Sequence, residues 1–397
     1  MSGTRNTPPI LPQELITEIL LWVPVKILMQ LRCVSKSWNS LIMDPTFAKL
    51  HLQRSPSNTH VLLTFEHIDL EKDEGETCAQ PCSVPRLLQS PASTINDGCF
   101  RYDEKYFVFG VCNGLVCLRD SLNGVDFKEY WIQFWNPATR FMSQVSPRLH
   151  LDLFTYKTGP FCSVKFGLGY DDLRDIYKVV VVLSDPKAKK REIRVHCLGD
   201  DCWREVLACP TFPMLGQVDG QFLNGTLNWL ALRKPCVEYR WESVTVDELA
   251  IFSYDLRNET YEFLLMPEAL DETPLDEPDF AVLRGCLCLS HDYMKTHVVV
   301  WLMREFGVTS SWTRLLNVGY EQFQIFSTLP RPPVPLCISE NEDFVLLANY
   351  ECFDIVLYNR RENRVELTEV LNSKFWLFSY DYVPSLVLPF RNQTPLQ

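Results

Sequence analysis

The sequence predicts a mainly β protein: a small N-terminal module of three or four helices, then a β-propeller of about six blades. Three observations carry that prediction. Apolar residues recur at helical spacing between residues 11 and 54. From about residue 59 onward, short β-like runs separated by turn residues take over. Five of those runs share one form and return at intervals of 47 to 61 residues, about the period of kelch-like blades. The expected division is residues 1–7 as a disordered N-terminus, 8–54 as the helical module, 59–388 as the propeller and 389–397 as a tail.

In chain order, Leu11-Pro12 opens the first helix, with the proline expected at the first helical position, where its missing N–H costs nothing. Leu15, Ile16, Ile19, Leu20 and Val23 then form an apolar stripe at helical period, and Pro24 is expected to end the helix. Leu28, Leu31, Val34, Trp38, Leu41 and Ile42 continue the pattern through one or two short helices. Asp44-Pro45 begins another, from about Thr46. These 44 residues are too few to bury much surface alone. Either one face packs internally and the other docks on a second protein, or the helices cap the domain that follows.

The repeated run is aliphatic and ends in an aromatic residue or histidine: Ile132-Gln-Phe-Trp135, Ile193-Arg-Val-His196, Ile251-Phe-Ser-Tyr254, Val298-Val-Val-Trp301 and Ile355-Val-Leu-Tyr358. Three continue into Asn136, Asp255 or Asn359, residue types that hydrogen-bond the local backbone in turns. A second apolar run precedes each, at residues 114–118, 178–183, 225–232, 285–289 and 343–348. Two units close with a tryptophan run, at Trp203 and Trp312. Two stacked sandwiches would not need such even spacing. Strands near His60 and after Phe375 supply a sixth unit, and a ring closed by both ends of the chain hides two sheet edges.

Two resemblances rest on these residues. Leu11-Pro12-x-Glu14-Leu15-x-x-Glu18-Ile19-Leu20, Val23-Pro24-Val25-Lys26, Arg32-Cys33-Val34-Ser35-Lys36-x-Trp38 and Asp44-Pro45-x-Phe47 together resemble an F-box of the plant type. Val23-Pro24 stands where Leu-Pro is commoner, a swap that keeps an apolar residue before the proline. Gly110-Val-Cys-Asn113-Gly114, Phe134-Trp135-Asn136-Pro137-Ala138-Thr139-Arg140, Phe166-Gly167-x-Gly169-Tyr170-Asp171 and Phe222-Leu-Asn224-Gly225-x-Leu-x-Trp229 are similar to the plant F-box-associated domain. The paired glycines of a standard kelch repeat are missing, so the kelch likeness is one of architecture.

The resemblance implies docking on a Skp-family adaptor and, through it, an indirect link to a cullin scaffold. It implies a role as the substrate-recognition subunit of a ubiquitin ligase, without catalysis, cofactor or metal. The docking residues are expected among Leu11, Pro12, Leu15, Ile19, Leu20, Val23, Pro24, Leu28, Leu31, Val34 and Trp38. Leu11, Pro12, Val23 and Pro24 match positions that touch the adaptor in the family. An F-box scaffold working outside a ligase is the alternative, with a propeller lectin or hydrolase behind it. Target capture is expected on loops at one rim, at residues 70–85, 147–160, 186–191, 233–246, 267–279 and 329–335.

Composition narrows the classes further. The apolar runs are too short to span a membrane and the N-terminus lacks a signal-peptide layout, so a soluble chain of the cytoplasm or nucleus is expected. Fifteen cysteines, several inside apolar runs, fit buried thiols in a reducing compartment; Cys78-x-x-x-Cys82 is expected in a polar loop and carries little metal signal. Residues 1–55 hold six Lys/Arg against three Asp/Glu, a net of +3, which leaves −15 for the remainder of a chain whose total is −12. Nucleic acid suits such a surface poorly. The acidic loops either keep the protein soluble or face a basic target protein.

Catalytic motifs are missing: there is no GxSxG, GxxxxGK[ST] or HExxH. Gly167-Leu-Gly169-Tyr-Asp-Asp172 begins like a dinucleotide fingerprint but has Asp172 in place of the third glycine and no helix after it. A tight approach into a strand, followed by turn chemistry at Asp171-Asp172, is the expected reading.

Overall fold

Prolines and short polar caps divide the N-terminal segment into four helices: α1 Gln13–Leu20, α2 Val25–Leu31, α3 Lys36–Ile42 and α4 Pro45–Arg54. The structure, a computed structural model, describes residues 11–69, 74–96, 99–102, 106–152, 164–185, 190–210, 214–216, 218–234, 239–323, 333–348, 355–367 and 374–390. The expected disordered segment 1–7 and the tail beyond Phe390 lie outside them.

Both early prolines stand one residue ahead of a helix. Pro12 is the N-cap of α1 and not its first residue, and Pro24 is the N-cap of α2 and not the stop of α1. α1 ends at Leu20, where the amides of Trp22 and Val23 bond back to the Ile19 and Leu20 carbonyls at 3.2 and 3.1 Å. A fixed φ suits the residue leading into a helix as well as one that halts it. Ser35 caps α3 by accepting from the Trp38 N–H, and Asp44 caps α4 by accepting from those of Thr46 and Phe47. His51 pins α4 to the α1–α2 turn, its Nε2 lying 2.9 Å from the Val23 carbonyl oxygen. The small core between them joins Leu20, Leu21, Val25, Leu28, Ile42, Phe47 and Ala48 to Leu386, from the other end of the chain.

The remainder is a six-bladed propeller of antiparallel sheets. From the channel outward, the first blade is Lys374–Tyr382, His60–Asp69, Glu74–Ser83 and Phe100–Tyr102. The second is Phe107–Cys112, Leu115–Asn123, Phe127–Asn136 and Phe141–Met142, with Leu149–Asp152 also paired to its third strand. The third is Val164–Asp171, Ile176–Asp185, Lys190–Cys197 and Arg204–Pro210, and the fourth Gln221–Leu223, Thr226–Leu232, Leu249–Asp255 and Thr260–Leu265. Asp279–Leu283, Cys286–Tyr293, His297–Met303 and Trp312–Gly319 form the fifth; Val334–Ile338, Phe344–Ala348, Ile355–Asn359 and Arg364–Leu367 form the sixth.

The five aromatic-ended runs are the third strands of blades two to six, and the apolar runs before them are the second strands. Closure also follows the expectation, because the last strand pairs antiparallel with the strand from His60. Their register shifts after Thr64, whose Oγ1 both donates to the Phe378 carbonyl and accepts from its N–H at 3.1 Å. Two short helices, Val84–Gln89 and Pro91–Asn96, interrupt the first blade and were not expected from the pattern.

Strand direction sorts the connections onto two faces. First-to-second and third-to-fourth connections share one face; second-to-third and blade-to-blade connections share the other. The first face, called the flat face for its two-residue turns Asn113-Gly114, Asn224-Gly225 and Arg284-Gly285 with positive φ at both positions, also carries the helices Val84–Gln89 and Pro91–Asn96. The helical module sits on this flat face. Of the six segments expected to form a rim, 267–279 and the described parts of 233–246 join strand ends on the far face, whereas residues 70–73, 153–160, 186–189 and 329–332 lie outside the described residues. Most of 70–85 is the strand Glu74–Ser83 and the start of a helix, so Cys78 and Cys82 lie on a strand and not in a loop. Part of 147–160 is the strand Leu149–Asp152, and Arg191 belongs to Lys190–Cys197. Polar and apolar residues fall on both faces of Glu74–Ser83, so alternation did not reveal that strand.

Candidate protein-docking faces

α1 is apolar on two sides. Ile16 and Leu20 turn into the module's core with Val23, while Leu11, Leu15 and Ile19, spaced by four residues, face outward and are each more than half exposed. Trp22 extends that outward row and is 72% exposed. The Arg54 guanidinium covers its ring at 5.6 Å and is held there by Glu18, at 2.7 and 3.3 Å. Exposure of this much large apolar surface on one short helix marks a contact surface rather than a core.

The eleven expected docking residues therefore separate. Leu11, Pro12, Leu15, Ile19, Pro24 and Val34 are exposed; Leu20 and Leu28 are buried inside the module; Val23, Leu31 and Trp38 are half-buried against its core. Sequence reasoning missed Trp22, Ile27 and Leu50, all exposed. Trp22 was within reach, since it continues the Leu11, Leu15, Ile19 row by three residues. Ile27 and Leu50 give no such signal.

The module is fastened to the propeller by the segment that follows the last strand. Asn136, at the end of the Phe134-Trp-Asn motif, is fully buried. Its Nδ2 donates to the carbonyls of Ser385 and Val387, while its Oδ1 accepts from the amides of Ala138 and Thr139. The expected turn role is thus real, and the same side chain also grips the segment that follows the last strand. Ser385 Oγ donates to the Asn113 carbonyl at 2.7 Å. A Cβ on Gly114 would meet that Oγ at 2.3 Å and the Val383 carbonyl at 2.6 Å, so only glycine fits. Leu386 then enters the helical core. Phe390 packs on Phe141, whose ring also lies 5.7 Å under the Arg32 guanidinium of the module, and Lys49 pairs with Asp175 at 3.1 Å.

On this flat face several of the propeller's acids are paired. Buried Asp171 accepts from Lys178 at 2.9 Å and Arg174 at 2.8 Å. Burial alone would raise its pKa, but those two partners outweigh it and hold the carboxyl at about 2. Its Oδ1 also accepts from the amides of Leu173 and Arg174, the expected turn chemistry. Asp172 pairs with Arg257, Glu342 with Arg304 and Arg360, and Asp343 with Arg361. Gly169 allows the close approach expected of it, against Leu256 and Phe222.

The far face carries an acidic loop between blades four and five. Glu268, Asp271, Glu272 and Asp276 are exposed, and none of them has an ion-pair partner among the described residues. The loop that carries them is nonetheless held. Trp241 Nε1 donates to the Pro274 carbonyl at 2.9 Å, Thr273 Oγ1 to that of Val244 at 3.0 Å, and the Tyr239 hydroxyl to Glu277 at 2.6 Å. The result is a fixed negative rim over blades four and five.

A cavity of about 30 Å³ between Gln221, Asp279, Ser290, Phe378 and Tyr380 has room for water and none for a sugar. His196 is buried against Trp203, and desolvation lowers its pKa. Among the described residues no group of three or more His, Cys, Asp or Glu side chains is placed to hold a metal ion, and no helix is long and apolar enough to cross a membrane.

Two family models match the chain: the F-box domain over residues 9–50 and the F-box associated beta propeller domain over residues 87–388. The chain is 30% identical over 321 residues to an F-box/kelch-repeat protein of Arabidopsis thaliana, covering 79% of this chain and 80% of that one. It is 28% identical over 357 residues to the F-box protein CPR1 of the same plant, covering 85% and 79%. Among solved structures, AztD from Citrobacter koseri overlaps 80% of this chain and 83% of its own at 10% identity, with a TM-score of 0.35, too loose a likeness to bear on function.

Proposed function

This chain belongs to the F-box proteins that carry an F-box associated beta propeller domain, and from that membership we propose that it is the substrate-recognition subunit of a Skp–cullin–F-box ubiquitin ligase. Proteins of this family are generally adaptor subunits rather than enzymes, and the F-box domain implies binding to a Skp-family adaptor. In this reading the exposed row Leu11, Leu15, Ile19 and Trp22 docks on the adaptor, which brings the cullin. The propeller's far face holds the target, and transfer is accelerated by proximity alone.

The carrying observation is the opposition of the two faces. The apolar row lies on a module mounted on the flat face, while most of the longer connections and the acidic loop of Glu268, Asp271, Glu272 and Asp276 lie on the other. A target with a basic surface fits the fixed negative rim, and charge complementarity would speed its encounter. The site of action is then the cytoplasm or nucleus, where adaptor and cullin meet.

Co-purification from plant extract tests this reading. The expected result is adaptor and cullin recovered together with the chain. Adaptor without cullin would replace the ligase role with a scaffold, and recovery of neither would overturn both.

A further inference from the structure

We propose that Cys78 and Cys99 form a reversible redox pair that closes into a disulfide across the outer strands of the first blade. The two sulfurs lie 3.3 Å apart, with the Cys99 thiol donating to Cys78 Sγ. In the pairing of the blade's third and fourth strands, Cys78 stands opposite Arg101 and Ala79 opposite Phe100. Extending that register places Cys99 diagonal to Cys78 on one side of the sheet, since alternate residues share a face. A disulfide needs the sulfurs to close to about 2.05 Å, a little more than 1 Å of approach. Access is asymmetric: Cys78 is 1% exposed, whereas Cys99 is half-buried at the edge of the same core.

The oxidant is a low-molecular-weight disulfide such as oxidised glutathione. The Cys99 thiolate attacks one of its sulfurs, forming a mixed disulfide and releasing one glutathione thiolate. The Cys78 thiolate then attacks Cys99 Sγ and expels the second. Two electrons pass from the cysteine pair to the oxidant, and the two thiol protons end on the released glutathione. The bond would pin the outer strand, in which three of the described residues are paired. Its Phe100 packs edge-on against Trp135 of the second blade at 5.1 Å, so the lock reaches the seam between the two blades. None of this depends on the ligase reading.

The test treats the full-length chain, bound to its adaptor, with oxidised glutathione and maps non-reduced peptides by mass spectrometry. A Cys78–Cys99 link is expected, with a melting temperature raised by about 5 °C and both reversed by dithiothreitol. Cys99→Ser, with Cys99→Ala as a second variant, should melt like the reduced wild type and gain nothing on oxidation. Glutathione found on exposed Cys33 and Cys202 while Cys78 and Cys99 stay free would overturn the proposal. So would a link from Cys82 to Cys78 or to Cys337.

Discussion

The side-chain amide of Asn136 donates to the carbonyl of Ser385 at 3.0 Å, across 249 positions of sequence. With the bond to Val387 at 2.7 Å it fixes how the helical module sits on the propeller. Asn136→Asp turns this donor into an acceptor facing two buried carbonyls. The expected loss is about 3 kcal/mol of stability, since each buried group left unpaired costs about 1–3 kcal/mol. Chemical denaturation followed by tryptophan fluorescence measures it. A denaturation midpoint equal to wild type would show that the strap is held by something else.

Docking and folding separate by residue. Leu15→Ala and Trp22→Ala remove exposed side chains, so each should leave the melting temperature within about 1 °C. Each should weaken adaptor binding by about tenfold or more, as expected of large apolar anchors. Replacing Leu11 and Pro12 together with alanine should act in the same way. Leu28→Ala, at a fully buried position, should instead cost about 2–5 kcal/mol and unfold the module. Calorimetric titration with the adaptor reads the first effect, and circular dichroism the second. Unchanged affinity in Trp22→Ala would remove it from the surface.

Asp171 gives the flat face an acid-sensitive point. Its folded pKa of about 2 lies below the ordinary 3.8. It therefore contributes stability that is fully present above about pH 4 and lost as pH falls toward 2. Asp171→Asn should be less stable at neutral pH by about 3 kcal/mol, because Lys178, 3% exposed, loses a charged partner. The difference from wild type should shrink as pH falls from 4 to 2. Parallel pH–stability curves for the two proteins would contradict this account.

The negative rim is expected to select the target without supporting the fold. Neutralising Glu268, Asp271, Glu272 and Asp276 to their amides should change stability by no more than about 0.5 kcal/mol and leave adaptor binding intact. Proximity labelling with the proteasome inhibited should then lose basic proteins from the labelled set. A labelled set identical to that of wild type would move target recognition elsewhere on the propeller.

Much of this architecture was legible because the third strands of blades four to six are buried on both sides and largely aliphatic, as Val298-Val-Val-Trp301 and Ile355-Val-Leu-Tyr358 show. Innermost strands were harder: Gln221–Leu223 has three residues, and a strand at the channel needs no long apolar run. Phe141–Met142 is shorter still and is found only by its pairing with Trp135 and Asn136. Spacing marked the apolar residues of the module but not their direction. Leu15 and Leu20 look alike in sequence, and one faces solvent while the other is 2% exposed. The face taken by each connection follows from strand direction alone, once each run has its place in a blade.

The strand Lys374–Tyr382 is made after the other described strands of the propeller, yet it lies innermost in the first blade, beside the strand from His60. During translation the blade's other strands therefore wait with an open edge while some three hundred residues of chain emerge. A premature stop before residue 374 would not merely shorten the protein. It would leave a gap in the ring and also strip away Leu386, on which the helical core closes. Ring and module are thus completed by one late stretch of chain, and a nascent product without it should be handled by the cell as waste.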